Sequence, residues 1–393
     1  MKRVLLALTS LALSIAPAFA EGADKSNTFP FKLFQDLAKQ RQSENFLISP
    51  FSVSTALGMT YLGAGGETKT TMGDVLNLQG KNDDAVSAEA RATLDKLRKP
   101  GGGTKLEIAN GLFGNRQFTF KPDFLNKNKS VYDAAIESLD FNSPDALKKI
   151  NGFVSDKTHG KIPTIVDKIG NDAILYLINA IYFKGSWANK FDSAETKPGN
   201  FNKSDKLTKQ VQMMHMSRSD FRYLENSDFQ AINLPYADKR LSLYVFLPAK
   251  GKSLSSFEQN FTATKWQGWV NQFHKREGNF SMPRFKVEDK MSLKAPLEAI
   301  GMSIAFDPNK ADFSAMAKTD KRIYISQVMH KTFMEVNEEG TEAAAATSVE
   351  MSVTMAPMNP VPPFEMHVVR PFVIALHDRE TGKLLFVGHI ANP

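Results

Sequence analysis

An α+β domain is what this 393-residue sequence predicts, and three observations carry the prediction. Amphipathic helical stripes dominate the first part of the chain, runs rich in branched and aromatic residues dominate the rest, and no linker or internal repeat divides them. The chain has no cysteine, so its fold must be held by a core without disulfides. A chain of this size buries roughly three quarters of its unfolded surface, which removes the need for them.

The first twenty residues read as an export signal. Lys2 and Arg3 form a basic head, residues 4–15 an apolar run, and Ala18-Phe19-Ala20 a small-x-small cleavage pattern. The apolar run is shorter than the roughly 18–20 residues a bilayer needs, so no membrane span is expected. Cleavage after Ala20 would leave residues 21–393 as a single exported domain, secreted or periplasmic. Losing Lys2 and Arg3 would lower the formal charge from +7 to +5. The remaining basic residues are scattered without aromatic interleaving, so no nucleic-acid partner is expected. Lys121, Lys127 and Lys129 read as an ordinary exposed face.

The helices come first. Phe31, Phe34, Leu37, Ala38 and Arg41 recur at helical spacing and place a helix ahead of Asn45. A second helix has Ser143 as cap, Pro144 in its first position, Leu147, Ile150, Phe153 and Val154 as its apolar stripe, and Gly160 as its stop. Gly101 to Gly103 after Pro100 read as a turn. Strand-like runs follow at 174–183, 241–247, 323–336, 366–376 and 384–390. Strands of this length imply at least one large sheet.

Enzyme chemistry lacks positive support. There is no cysteine nucleophile and no GxSxG elbow. The histidines at 159, 215, 274, 330, 367, 377 and 389 never take a close ligand spacing, so neither a metal nor a cofactor is expected. The Gly63–Gly66 cluster fails as a dinucleotide loop because Thr68 replaces the last glycine. Gly251-Lys252-Ser253 fails as a phosphate loop because Phe246 stands where the first glycine is required. A triad dispersed through the sequence would be recognisable only by its geometry.

The informative stretch is EEGTEAAAATSVEMSVTMAPMNPVPPFE, residues 338–365. Propensity alone would make its alanine run helical, yet a period of two says more. Thr341, Ala343, Ala345, Thr347, Val349, Met351 and Val353 fall on one uncharged face, while Glu342 and Glu350 fall on the other with Ser348 and Ser352. That alternation suits a strand with one side in a core. Proline is absent from 341 to 356, and Pro357, Pro360, Pro362 and Pro363 then crowd the next seven positions. Only the part before them can enter a central strand.

EEGTEAAAAT (338–347) resembles the hinge of the serpins. NFLISPFSVSTALGMTYLGAGGET (45–68), INAIYFKGSW (178–187), LPY (234–236), ISQVMHK (325–331), RPF (370–372) and LFVGHIANP (385–393) are similar to that family's pattern in the same order. The resemblance spans residues 28–393. It implies a fold of three β-sheets with eight or nine helices and an exposed reactive loop at about 338–363. It further implies a monomeric suicide inhibitor of serine proteases, with a covalent complex formed on loop cleavage; a bacterial source is also expected.

The resemblance assigns roles by position. Glu338, Gly340, Thr341, Glu342, Ala343, Ala344, Ala345, Ala346 and Thr347 form the hinge. The reactive bond falls at Thr354-Met355, with Val353-Thr354 and Met355-Ala356 as open alternatives. Ser49, Ser52, Asn179 and His330 form a hydrogen-bonded cluster beneath the opening sheet, Trp187 stands at the top of that sheet, and Arg284 pairs with Glu338. A plainer reading of His330 is a satisfied core residue, since it shares a strand face with Val328, Thr332, Met334 and Val336. No Lys or Arg occurs from 341 to 369, which points to elastase-, subtilisin- or chymotrypsin-like targets. The alternative is a non-inhibitory carrier or chaperone, whose hinge would tend to be bulky or charged.

Overall fold

The computed structural model describes residues 28–98, 101–170, 172–204, 207–341 and 361–393. Among these, nine α-helices and three β-sheets form an α+β architecture. The first helix, Phe29–Gln40, buries Phe31, Phe34, Leu37 and Ala38 on one face, as their spacing requires. Ser143 caps Pro144–Lys157 by accepting the Asp145 N–H at 3.2 Å, and Gly160 ends that segment at a positive φ. Gly101, Gly102 and Gly103 all take positive φ, as a glycine turn allows. Pro50–Tyr61 is buried nearly all round and runs through the core, so its sequence carries almost no amphipathic signal.

The largest sheet has nine strands. Its main path runs Phe46–Ile48, Leu384–Ile390, Phe372–Asp378, Leu241–Pro248, Phe229–Pro235, Leu207–Glu225, His274–Pro283 and Phe364–His367. Lys197–Ser204 pairs beside Leu207–Glu225. The run 366–376, expected as one strand, is two. Phe364–His367 pairs parallel with His274–Pro283, whereas Phe372–Asp378 lies between Leu241–Pro248 and Leu384–Ile390. Pro371 stands at the break, where its missing N–H does no harm to a ladder.

The second sheet orders six strands as Phe285–Ser292, Gln327–Asn337, Gly340–Thr341, Leu175–Ser186, Lys105–Asn115 and Ala135–Leu139. Pro50–Tyr61 belongs to the large core on one side, and Pro144–Lys157 closes a smaller core with Phe113, Ile178, Tyr182 and Phe333 on the other. The expected run at 323–336 enters this sheet only at Gln327; Ile325 still bonds to the carbonyl of Ala305. A two-stranded pair, Thr119–Phe120 with Ala317–Lys318, completes the set. Among the described residues no helix is long and apolar enough to cross a membrane.

Candidate functional site: a seam in the six-stranded sheet

Two central strands of this sheet, Gln327–Asn337 and Leu175–Ser186, run parallel and pair directly from Gln327–Tyr176 up to Phe333–Tyr182. Above those rungs they part. The chain leaves Gln327–Asn337, turns back at Glu338 and Glu339, and sets Gly340 and Thr341 between the two strands. Thr341 pairs with Val336 on one side and Gly185 on the other, antiparallel to both. The seam therefore holds Gly340 and Thr341 at its head and is closed from Phe333 and Tyr182 downward.

Glycine is required at the turn. Gly340 has φ +148°, and a Cβ there would lie 2.1 Å from the carbonyl oxygen of Gly185. Three further bonds fix the turn from the neighbouring segment. The backbone N–H groups of Trp187 and Phe191 donate to the carbonyls of Glu339 and Glu338, both at 3.0 Å, and the Trp187 indole N–H donates to the carbonyl of Asn337 at 2.9 Å. Thr341 is wholly buried, and its hydroxyl lies 2.7 Å from that of Tyr236.

This placement corrects one expectation. The loop expected at 338–363 is not exposed from its start, because Glu338 is buried in the turn and Gly340 and Thr341 are buried in the sheet. Glu342, Ala343, Ala344, Ala345, Ala346, Thr347 and the bond Thr354-Met355 lie outside the described residues, as does the export signal.

Arg284 and Glu338 meet beside the turn. The guanidinium places Nε and Nη2 on one carboxylate oxygen at 2.5 Å, and the Thr196 hydroxyl donates to the same oxygen. Burial pushes the Glu338 carboxyl up, but the donations from Arg284 and Thr196 outweigh it and hold the group below the usual carboxylate range. The pair is lopsided: Glu338 is 6% exposed and Arg284 45%.

Lower in the seam, a polar row crosses three strands at one level. Asn110 is opposite Asn179, and Asn179 is opposite His330. The Asn179 amide nitrogen donates to Asn110 Oδ1 at 2.8 Å and to the Ser52 hydroxyl; its oxygen lies 2.6 Å from His330 Nδ1. His330 Nε2 accepts the backbone N–H of Ser49 at 3.0 Å, so the proton must sit on Nδ1 and point at Asn179. Ser49 also caps Pro50–Tyr61, its hydroxyl accepting the Ser52 N–H at 3.2 Å. A second proton on Nε2 would face that Ser49 N–H. Complete burial disfavours the charged ring as well, and pushes the His330 pKa down to about 3.

Ser49, Ser52, Asn179 and His330 are thus brought together, as are Arg284 and Glu338, while Trp187 stands at the head of the seam. Three participants were not legible from sequence. Asn110 carried a weak signal, a polar residue in the apolar run LEIANGLF, but only the strand register sets it opposite Asn179. Thr196 and Tyr236 reach the turn from segments far away in the chain. Among the described residues no cluster of His, Asp and Glu could hold a metal.

The chain belongs to the serpin family: the family model described as serpin (serine protease inhibitor) matches residues 24–393. It is 36% identical to the leukocyte elastase inhibitor of Bos taurus over 95% of this chain and 100% of that protein. Serpin B6 of Macaca fascicularis is 37% identical over 94% of this chain and 99% of its own length. Among solved structures, the thermophilic serpin tengpin in its native state superposes with a TM-score of 0.86 at 30% identity, covering 94% of both chains. Human thyroxine-binding globulin in complex with its hormone superposes at 0.84 with 28% identity, covering 94% of this chain and 98% of that one.

Proposed function

We propose that this serpin is a secreted or periplasmic, monomeric suicide inhibitor of serine proteases, exported by the signal in residues 1–20 from a bacterial source. The observation that carries the inhibitory reading is the seating of Gly340 and Thr341 between two strands that pair directly below them. A segment of alternating pattern follows Thr341 in sequence, and the seam offers it a track. The protease serine would attack the carbonyl carbon of Thr354, and the Met355 nitrogen would leave with a proton, so that an ester ties the enzyme to Thr354. Residues 341–354 could then zip downward, exchanging the parallel pairing of the two strands for two antiparallel ones. Fourteen residues span about 46 Å at roughly 3.3 Å each, enough to carry a tethered enzyme across a domain.

Hydrogen bonds do not drive this step. Each new rung yields about 0.5–1.5 kcal/mol net, whereas ordering a residue costs about 1–2 kcal/mol. Burial of Val349, Met351 and Val353, at about 1.5–3 kcal/mol each, supplies the surplus, together with relief of strain in the uncleaved fold. Small or apolar residues at 353–355 support an elastase-, subtilisin- or chymotrypsin-like target, and the bovine and Xenopus relatives are named as elastase inhibitors. A carrier role has one observation in its favour, the likeness to thyroxine-binding globulin. A hinge that is small and uncharged on the face of Thr341, Ala343, Ala345 and Thr347 speaks against it.

The test is incubation with elastase, subtilisin, chymotrypsin and trypsin, followed by denaturing gels and sequencing of the released C-terminal peptide. A denaturant-resistant complex with one of the first three, and a peptide beginning at Met355 or one residue to either side, is expected. Cleavage of the loop with no covalent complex from any of them would overturn the inhibitory reading.

A further inference from the structure

The head of the seam contains a side chain that neither the polar row nor the hinge ion pair requires. Tyr236 is wholly buried, at the end of the strand Phe229–Pro235 in the other large sheet. Its ring stacks on Trp187 with centroids 4.5 Å apart and meets the edge of Phe183 at 5.0 Å. Its backbone N–H is held by the carbonyl of Leu241. The ring therefore has little freedom, and its hydroxyl is aimed at one point. That point is the Thr341 hydroxyl, 2.7 Å away and also wholly buried.

The strand opposite is shaped for the same approach. Gly185 is the rung partner of Thr341, and a Cβ on Gly185 would lie 2.9 Å from Tyr236 Cδ1. The ring thus covers the strand at the rung where Thr341 docks, and only glycine leaves room for it. Two hydroxyls in a dry site satisfy each other or neither.

We propose that Tyr236 is a positioning residue for loop insertion: its hydroxyl, fixed by the Trp187 and Phe183 rings, latches Thr341 between the two strands before any protease arrives. This rests on the inhibitory reading, because a seated first rung matters for the race between insertion and release of the protease. With the latch made, insertion extends a strand already begun. Without it, insertion must first bury Thr341 again, and deacylation gains time.

Three variants test the latch: Tyr236→Phe, Thr341→Val, and the two together. Each single change leaves one buried hydroxyl unpaired, whereas the double change removes both and restores an apolar fit. The first readout needs no protease. Amide exchange of peptides ending at Thr341 should quicken roughly 5- to 30-fold in each single variant, and the double variant should return to within about threefold of wild type. The second readout is the number of inhibitor molecules consumed per protease trapped, which should rise severalfold for Tyr236→Phe and recover in the double variant.

A Tyr236 that serves only as core packing would make Tyr236→Phe lower the melting temperature equally with Thr341 intact and with Thr341→Val in place, with exchange effects that multiply. That outcome overturns the proposal. Should the wild-type chain trap no protease, the exchange cycle still decides the latch, and the inhibitory reading fails separately.

Discussion

Buried His330 and His377 should make the fold sensitive to acid. Burial pushes His330 down to about 3 and His377 down to about 4, whereas both would titrate near 6.5 in the unfolded chain. Between those values the unfolded chain binds the extra proton, so stability is complete above pH 6.5 and falls as the pH drops towards 4. Each imidazole contributes about 1.4 kcal/mol per pH unit within its window. Replacing His377 with Leu should flatten the slope by that amount between pH 6.5 and pH 4, as urea unfolding at a series of pH values would show. Glu338 acts in a lower window: its depressed carboxyl stabilises the fold above about pH 4.5, and that contribution is lost as the pH falls through the folded value. Glu338→Lys would set an ammonium against Arg284 and remove the acceptor used by Thr196. A loss of about 2–4 kcal/mol follows, with a lower melting temperature and loop-sheet polymers on native gels; an unchanged melting curve and a monomeric sizing profile would count against it.

The strand Gly340–Thr341 owes its place to the seam and not to its own propensity, since it pairs with Val336 and Asn337 on one side and Gly185 and Ser186 on the other. Further down, the neighbouring strands pair directly from Phe333 and Tyr182 to Gln327 and Tyr176. Insertion as proposed would have to break the parallel ladder and then the His330–Asn179 contact, which would make the polar row a clasp across that path. Thr341→Arg would force a cation into the first rung, at several kcal/mol unless it escapes to water. The hinge would then leave the sheet even in the uncleaved protein. The expected result is an inhibitor turned substrate, cut near Thr354 with the protease released active. A wild-type yield of covalent complex would show that residue 341 need not enter the sheet. Gly340→Ala should act in the same direction by a different route, since its Cβ meets the Gly185 carbonyl; a gel-based stoichiometry measures both.

For the molecule as a whole, cleavage in the loop should raise stability. A loop nicked between residues 353 and 357 can place Val349, Met351 and Val353 in the core, at about 1.5–3 kcal/mol each. A rise in melting temperature on the order of 10 °C follows, measurable by calorimetry before and after limited proteolysis. No change on nicking would mean that the seam does not admit the loop. Two cores, one on each side of the six-stranded sheet, hold the fold without disulfides.

Local pattern alone determined much of this protein. The helices at Phe29–Gln40 and Pro144–Lys157 were legible because amphipathic spacing, caps and stop residues act within a few neighbours. The strand Leu384–Ile390 was legible from its apolar run, and the Glu338–Thr347 motif was legible because alternation and proline placement are properties of consecutive residues. Tertiary structure decided the rest. That 366–376 splits between two partners, that Asn110 joins Asn179 and His330, and that Thr341 is already seated beneath Tyr236 depend on which strands become neighbours. Strand pairing joins residues distant in sequence, and a one-residue change of register would turn every side chain to the other face. No local pattern could therefore fix the contacts across the seam.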